Sequence, residues 1–141
     1  MQHPSLYYRD YLNGGNGMDD LSTQFSRHEF ACSGPNCCGG SSPVEMRLID
    51  ALEEFRAKAE MPVRINSGFR CLVYNRFVGS TDTSQHPRGY AADIGRIPGL
   101  SIDEMINVAA SIEAFANGGI GRYETFIHVD VRRDGPSRWT G

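Results

Sequence analysis

Three side chains in the second half of the sequence are of the types that bind a catalytic metal. His86 lies in the polar, turn-rich loop 79–90, and Asp93 follows among alanine and isoleucine residues, where a carboxylate must be paired, hydrogen-bonded or metal-bound. His128 lies in the alternating segment 126–131. Two imidazoles and one carboxylate form a ligand set of catalytic zinc, which keeps a fourth position open for water. From the residues alone, a structural His–Asp pair is the alternative.

The spacing around His128 brings further polar groups near it. Successive side chains of a strand point to opposite faces, so His128 and Asp130 share one face while Ile127 and Val129 occupy the other. Glu124 is at an even offset from His128 and falls on the same face if the strand is regular. The pattern therefore predicts two carboxylates near the second histidine.

The elements that must position these residues follow from apolar spacing and turn residues. Two amphipathic helices are predicted, each opened by a capping box: one from Ser42 with Glu45, and one from Ser101 with Glu104 that runs to about Asn117. Shorter elements are predicted as a strand over 62–68, a helix over 71–78, a strand over 91–94, and a final hairpin of 121–123 with 125–131. This mixed order without βαβ repetition predicts a single compact α+β domain, with a small antiparallel sheet and flanking helices.

Composition excludes several classes of protein. The chain has 141 residues, 40% hydrophobic and 22% charged, as expected of one globular domain. The net charge of −3 argues against nucleic-acid binding, and no apolar run of about 18 residues suggests membrane insertion. The N-terminus lacks the basic and apolar regions of a signal peptide. Residues 1–24, with Tyr7, Tyr8 and Tyr11, are predicted to form an arm and flexible turn before a domain over 25–141.

The cysteines have an uneven distribution. Cys32, Cys37 and Cys38 cluster, whereas Cys71 stands alone. A disulfide to Cys71 in an oxidising compartment and free, packed thiols are both open. A structural zinc needs four ligands at regular spacing, and these three with His28 or Cys71 match no standard pattern. We therefore expect the cysteines to belong to the scaffold.

Several short motifs occur in a fixed order along the chain. They are Phe-x-Cys near the start, Ser67-Gly-Phe-Arg-Cys71, Asn75, Val78-Gly79, Ser84-Gln-His86, Gly89-x-Ala-Ala-Asp-Ile94 and Phe126-Ile-His-Val-Asp-Val-Arg132. In these motifs the sequence resembles the zinc D-Ala-D-Ala peptidases and their phage-encoded murein peptidase relatives, the M15 peptidases, over about residues 25–139. The resemblance implies that His86, Asp93 and His128 bind one zinc ion per chain, in a fold shared with the hedgehog domain.

The resemblance also implies which residues take part in hydrolysis. In such enzymes zinc polarises the scissile carbonyl and activates a water, and a carboxylate accepts the water's proton. Arg70 matches a family arginine that faces the developing oxyanion or a substrate carboxylate. Many relatives place the acidic residue three positions before the last zinc histidine, where this sequence has Thr125. Glu124 and Asp130 are therefore both candidates for the general base, and the other role open to Asp130 is to orient the zinc histidine or pair with Arg132.

The implied activity is hydrolysis of the peptide stem or cross-link of bacterial peptidoglycan, as a D,D-carboxypeptidase or an endopeptidase. Ser84 and Gln85, directly before the first ligand, and Tyr123 are candidates for substrate contacts. Small relatives are commonly phage or prophage products. The resemblance thus implies a monomeric, endolysin-type enzyme that is made in the cytoplasm and reaches the cell wall after holin-type release or delivery from a virion.

Two other function classes remain open. Related folds such as the hedgehog signalling domain keep a zinc site and serve mainly in binding, and Thr125 at the acidic position favours this alternative. A thiol-based zinc or redox protein built on the cysteine cluster is the other. Turnover of purified murein, inhibition by EDTA and rescue by zinc distinguish the enzyme from both.

Overall fold

A five-stranded sheet forms the centre of the computed structural model, which describes residues 20–141. Its strands are, in chain order, β1 (Ile65–Ser67), β2 (Ala91–Gly95), β3 (Gly119–Arg122), β4 (Phe126–Asp130) and β5 (Ser137–Thr140). The order across the sheet is β1-β2-β4-β3-β5, and neighbours are antiparallel except β3 and β5, which are parallel. The predicted strands and the final hairpin are confirmed. The sequence did not predict strand β5, because Trp139 is the single apolar residue of this segment and produces no alternating pattern.

Helices pack against this sheet. Over the described range they are α1 (Met46–Ala59), α2 (Leu72–Phe77), α3 (Ile102–Ala110) and α4 (Glu113–Ala116), with short 3-10 helices at Arg27–Phe30 and His86–Arg88. Helices α3 and α4 contact β3 and β4, and α1 contacts α3 and α4. This arrangement confirms the predicted α+β domain.

Helix α1 begins later than its sequence signal predicts. Glu45, rather than Ser42, occupies the N-cap position, and Met46 is the first helical residue. The backbone N–H of Glu45 donates to the carbonyl of Gly89 at 2.9 Å, so a tertiary contact holds Glu45 in an extended conformation. The predicted capping box at Ser42 is therefore wrong.

The second predicted helix is divided into α3 and α4. Its capping box is confirmed: the Ser101 hydroxyl accepts from Glu104 N at 3.0 Å, and the Glu104 carboxylate accepts from Ser101 N at 2.8 Å. The helix stops before Ser111, whose hydroxyl donates to Val108 O at 2.7 Å, a local bond that competes with the helical pattern. Ile112 is extended, and α4 starts after it.

Strands β2 and β4 separate an apolar core from a polar face. Ala92 and Ile94 of β2, and Ile127 and Val129 of β4, are completely buried in one core with Phe55 of α1. Burying a side chain the size of isoleucine or phenylalanine contributes about 1.5–3 kcal/mol. The intervening residues of both strands lie on the opposite face, as predicted for 126–131.

Two further predictions concern the N-terminal arm and membrane insertion. Most of the arm predicted over 1–24, including its three tyrosines, lies outside the described residues. Within residues 20–141, none of the helices combines the length and hydrophobicity needed to cross a bilayer.

Candidate metal and active site

One row of paired residues crosses the sheet on its polar face. Asp93 of β2 pairs with His128 of β4, His128 with Gly121 of β3, and Gly121 with Trp139 of β5. Directly paired residues project on the same face, so the register places two predicted ligands side by side. Gly121 leaves room for the indole, because a Cβ there would lie 2.5 Å from Trp139 Cε2. The rings of His128 and Trp139 are consequently only 4.9 Å apart.

The third predicted ligand, His86, reaches this row from the loop before β2. The turn after it ends at Gly89, which has φ +74° and where a Cβ would lie 2.6 Å from Pro43 O. Both the backbone angle and the close approach require glycine. The tight turn directs the buried imidazole of His86 to the sheet, with its ring 5.1 Å from that of His128.

The three side chains converge on one point. Donor atoms of His86, Asp93 and His128 all lie within 4.8 Å of one another. Asp93 Oδ1 is 3.3 Å from His86 Nε2 and 3.1 Å from His128 Nδ1. Nitrogen and oxygen ligands of a tetrahedral zinc ion lie roughly 3.3–3.6 Å apart, given bonds of about 2.0–2.2 Å. The donor set and its spacing therefore fit zinc.

Hydrogen bonds behind the two imidazoles select their tautomers. His86 Nδ1 donates to the carbonyl of Gly68 at 2.6 Å, and His128 Nε2 donates to Asp130 Oδ2 at 2.7 Å. Gly68 O and Asp130 Oδ2 only accept, and so does Asp93 Oδ1 beside the other nitrogen of each ring; with a cation next to Asp93, the hydrogens lie on His86 Nδ1 and His128 Nε2. This leaves His86 Nε2 and His128 Nδ1 as the ligand atoms, both beside Asp93. Such outer partners orient metal-binding histidines and raise their basicity.

The charges of the site suit a cation. Burial opposes ionisation of Asp93, but hydrogen bonds from His128 and His86 outweigh it and hold its pKa well below the usual range. Burial likewise opposes ionisation of Asp130, while hydrogen bonds from Arg132 and His128 hold its pKa well below the usual range. Burial disfavours the charged form of His128, yet its bonds to Asp130 and Asp93 raise its pKa above the ordinary value. Two ionised carboxylates thus lie beside the imidazole of His128.

The three donor residues His86, Asp93 and His128 line a cavity of about 580 Å³. Its walls combine polar groups and rings and include Arg70, Ser84, Gln85, His86, Asp93, Tyr123, Phe126, His128, Arg132, Ser137 and Trp139. Two polar atoms of the wall, Arg70 Nε and Gln85 Oε1, are buried without a hydrogen-bond partner. Leaving such an atom unpaired costs about 1–3 kcal/mol. These atoms are therefore suited to bind polar groups of a ligand.

Comparison with protein families agrees with this geometry. A sequence model described as Peptidase M15 matches residues 23–130. The chain belongs to the peptidase M15 family. M15 peptidases are zinc-dependent, and the matched region contains all three residues whose donor set fits zinc. A comparison with curated proteins found no match.

Four of the other residues predicted to act in this M15 site line its cavity. Arg70, Ser84, Gln85 and Tyr123 line the cavity. Burial lowers the pKa of Arg70 below its ordinary value, although nearby Asp93 opposes this shift. The guanidinium thus lies within a partly desolvated wall of the site.

The two candidate bases lie in different places. Asp130 is completely buried behind His128 and outside the cavity. Strand β4 begins only at Phe126, so the alternation expected to bring Glu124 to the face of His128 does not extend to it. Glu124 is exposed in the β3–β4 turn and lines a second cavity of about 300 Å³. Among residues 20–141, Asp93 is the only carboxylate that lines the larger cavity.

The sequence predicted Tyr123 in the wall of this M15 site but did not indicate Trp139, the aromatic residue beside it. Trp139 Nε1 donates to the Tyr123 hydroxyl at 2.9 Å, and the Arg132 guanidinium lies 5.3 Å from the centre of the indole. Ser137 and Trp139 are two residues apart on β5 and both face the cavity. Their period-two spacing was the available signal, but over four residues it is too short to stand out.

Proposed function

We propose that this M15 family member is a zinc-dependent peptidase that hydrolyses the peptide stem or cross-link of bacterial peptidoglycan, as an endolysin-type enzyme of a phage or prophage. The observation that carries the proposal is the convergence of His86, Asp93 and His128 on one cavity. Family membership supports peptide hydrolysis. The motifs shared with murein peptidases support the substrate class and the endolysin role.

The roles of the residues follow from their positions. Zinc bound by the three donors supplies Lewis-acid polarisation of the scissile carbonyl and activation of a water. His86 and His128 are held as ligands by Gly68 O and Asp130. Arg70 offers a fixed positive charge to the carbonyl oxygen or to a terminal carboxylate of the substrate. These residues hold and orient the reacting groups.

Asp130 is assigned to orienting His128. Oδ1 of Asp130 accepts hydrogen bonds from Arg132, and Oδ2 accepts from both Arg132 and His128, so its oxygens are committed to protein donors. A general base must lie within hydrogen-bond reach of the proton it removes. Glu124 fulfils this role only if the β3–β4 turn moves toward the larger cavity. Among residues 20–141, the lining of the larger cavity contains no carboxylate apart from the proposed zinc ligand Asp93.

The cavity wall supports recognition of a short peptide. Gln85 and Ser84 offer amide and hydroxyl groups to a peptide backbone, and Trp139 offers an apolar surface for small side chains such as that of alanine. Arg70 and Arg132 place two positive charges at the same cavity. A free carboxylate at the end of a peptide stem is complementary to them.

A zinc-containing binding module of the same fold is the second candidate. It is favoured by Thr125 at the position of the expected acid and by the exposed location of Glu124. A module of this kind needs the zinc ligands for shape, but it needs no proton acceptor.

The test is mass analysis of muropeptides released from purified sacculi. We expect the wild-type protein to release fragments whose masses identify the bond cut, EDTA to stop the release, and added zinc to restore it. His86→Ala should lose zinc and activity. His28→Ala, the same substitution at an exposed residue outside the cavity lining, is the matched control and should retain both.

The outcomes separate the two candidates. Release of free D-alanine identifies a carboxypeptidase, and release of shortened stems or separated cross-links identifies an endopeptidase. If the folded protein binds zinc and binds sacculi but releases no fragment, the peptidase proposal is wrong and the binding module replaces it.

A further inference from the structure

Four cysteine thiols meet at a second point, separate from the cavity. The Sγ atoms of Cys32, Cys37, Cys38 and Cys71 all lie within 4.8 Å of one another. Cys32 Sγ is 3.8 Å from Cys37 Sγ and 3.9 Å from Cys71 Sγ. The isolated Cys71 thus joins the cluster of three, which the sequence spacing alone did not indicate.

These distances match the edges of a metal–thiolate tetrahedron. A zinc ion with four Zn–S bonds of about 2.3 Å has sulfur atoms roughly 3.8 Å apart. The four residues are free thiols, and their separations are far longer than a disulfide bond of about 2.05 Å. The disulfide expected as one alternative is therefore not the state of this structure.

The chain around the cluster is shaped to bring the thiols together. The backbone N–H of Cys32 donates to Ser41 O at 2.8 Å and closes a loop that contains Cys37 and Cys38. Gly34 lies inside this loop, and a Cβ there would lie 2.7 Å from Cys37 Sγ and from the ring of Tyr74. The loop therefore packs closely onto α2.

The fourth thiol comes from the start of α2. Cys71 occupies the N-cap position, and its sulfur accepts a hydrogen bond from Tyr74 N at 3.5 Å. Two segments that are about 30 residues apart in sequence thus each present sulfur atoms to one point.

Four thiols this close together suit a divalent cation, because its charge stabilises several thiolates together.

We propose that Cys32, Cys37, Cys38 and Cys71 bind a structural zinc ion, distinct from the zinc of the proposed active site. Four soft sulfur ligands in a closed tetrahedron are the arrangement of structural rather than catalytic zinc. Of the four, Cys32 is buried and the others are half-buried.

The location gives this second zinc a positioning role. Cys71 directly follows Arg70, which lines the active-site cavity, and the nearby Phe69 N–H donates to Phe30 O at 2.9 Å. Zinc at the cysteines therefore joins the segment around Cys32 to the segment that carries Arg70 and Gly68, the hydrogen-bond partner of His86.

The experiment measures metal content and thiol state on the intact wild-type chain, purified with a non-chelating reductant. We expect about two zinc ions per chain by elemental analysis. Titration with a mercurial reagent, read with a zinc-sensitive dye, should release one of them as four thiols react. Substitution with cobalt should add intense sulfur-to-cobalt charge-transfer absorption in the near ultraviolet.

Variants assign each ion to its site. His86→Ala should retain about one zinc ion and the charge-transfer band, whereas Cys37→Ser with Cys38→Ser should lose the band. The wild-type measurements decide the matter even if the cysteine variant fails to fold. One zinc per chain with all four thiols reactive in the native protein would overturn the proposal, as would disulfides found by mass after purification under reducing conditions.

The proposal fails independently of the proposed activity. A protein that cleaves sacculi with one zinc ion and reactive thiols has the peptidase function without the cysteine site. A protein that binds two zinc ions without cleaving sacculi has the cysteine site without the peptidase function.

Discussion

Replacing Asp130 by asparagine keeps the shape of this buried side chain and removes its charge. Oδ1 accepts from Arg132 N at 3.1 Å and from Arg132 Nε at 2.9 Å. Oδ2 accepts from His128 Nε2 and from Arg132 Nη2, both at 2.7 Å. All four partners are donors, so the amide nitrogen of asparagine faces two donors in either orientation.

Either orientation of the introduced amide lowers zinc affinity or the free energy of unfolding by an amount that can be estimated. With nitrogen at the Oδ2 position, His128 Nε2 loses its acceptor, and the tautomer that leaves Nδ1 as a ligand is no longer selected. Loss of such a partner weakens metal binding by about 10- to 100-fold, or about 1.4–2.7 kcal/mol. Breaking a buried ion pair costs about 3–5 kcal/mol of unfolding free energy. Since the Arg132 side chain is 19% exposed and keeps some hydration, we expect the lower end of this range.

The assay is zinc affinity by competition with a chromophoric chelator, at a temperature where both proteins are folded. Asp134→Asn is the matched control, because it makes the same change at an exposed residue near Arg132 and should leave the affinity unchanged. Urea unfolding of both variants gives the second quantity. If Asp130→Asn binds zinc within about 2-fold of wild type and keeps its turnover, Asp130 does not select the His128 tautomer.

Three further substitutions test the site. Glu124→Gln should keep turnover of sacculi within a few-fold of wild type, because Glu124 lines a different cavity; a loss of about 10²–10⁴ with zinc retained would instead identify it as the general base. Arg70→Gln should lower kcat/KM by about 10²–10³ without changing zinc content, and an unchanged rate would remove Arg70 from the reaction. Gly121→Ala should destabilise the protein by about 1–3 kcal/mol in urea unfolding and reduce the rate, since its Cβ would displace the Trp139 ring; unchanged stability would contradict the packing described.

Local signals in the sequence were sufficient for most elements. The period-two pattern over 126–131 predicted β4 and its two faces, and the capping box at Ser101 predicted the start of α3. Predictions failed where a distant contact decided the outcome. The start of α1 is set by the bond from Glu45 to Gly89 O, and no pattern near residue 45 contains that information.

The same division applies to the site. His86, Asp93 and His128 were identifiable from residue type and motif, and the structure brings them together. The position of Glu124 could not be predicted from the sequence, because strand alternation holds only within a strand and the β3–β4 turn interrupts it. Trp139 joins the cavity through the parallel pairing of β3 with β5, which places it beside Gly121.

The sequence alone determined the class of the fold and the types of the candidate site residues: the α+β class, the family resemblance and the His–Asp–His donor set all depend on residue types and short spacings. Only the tertiary structure decided which groups stand beside those donors. In the folded chain Asp130 lies behind His128, and Glu124 lines another cavity. Cys71 lies beside Cys32, Cys37 and Cys38. The physical reason is that strand register and loop closure set distances between residues far apart in the chain, and local spacing does not encode those distances.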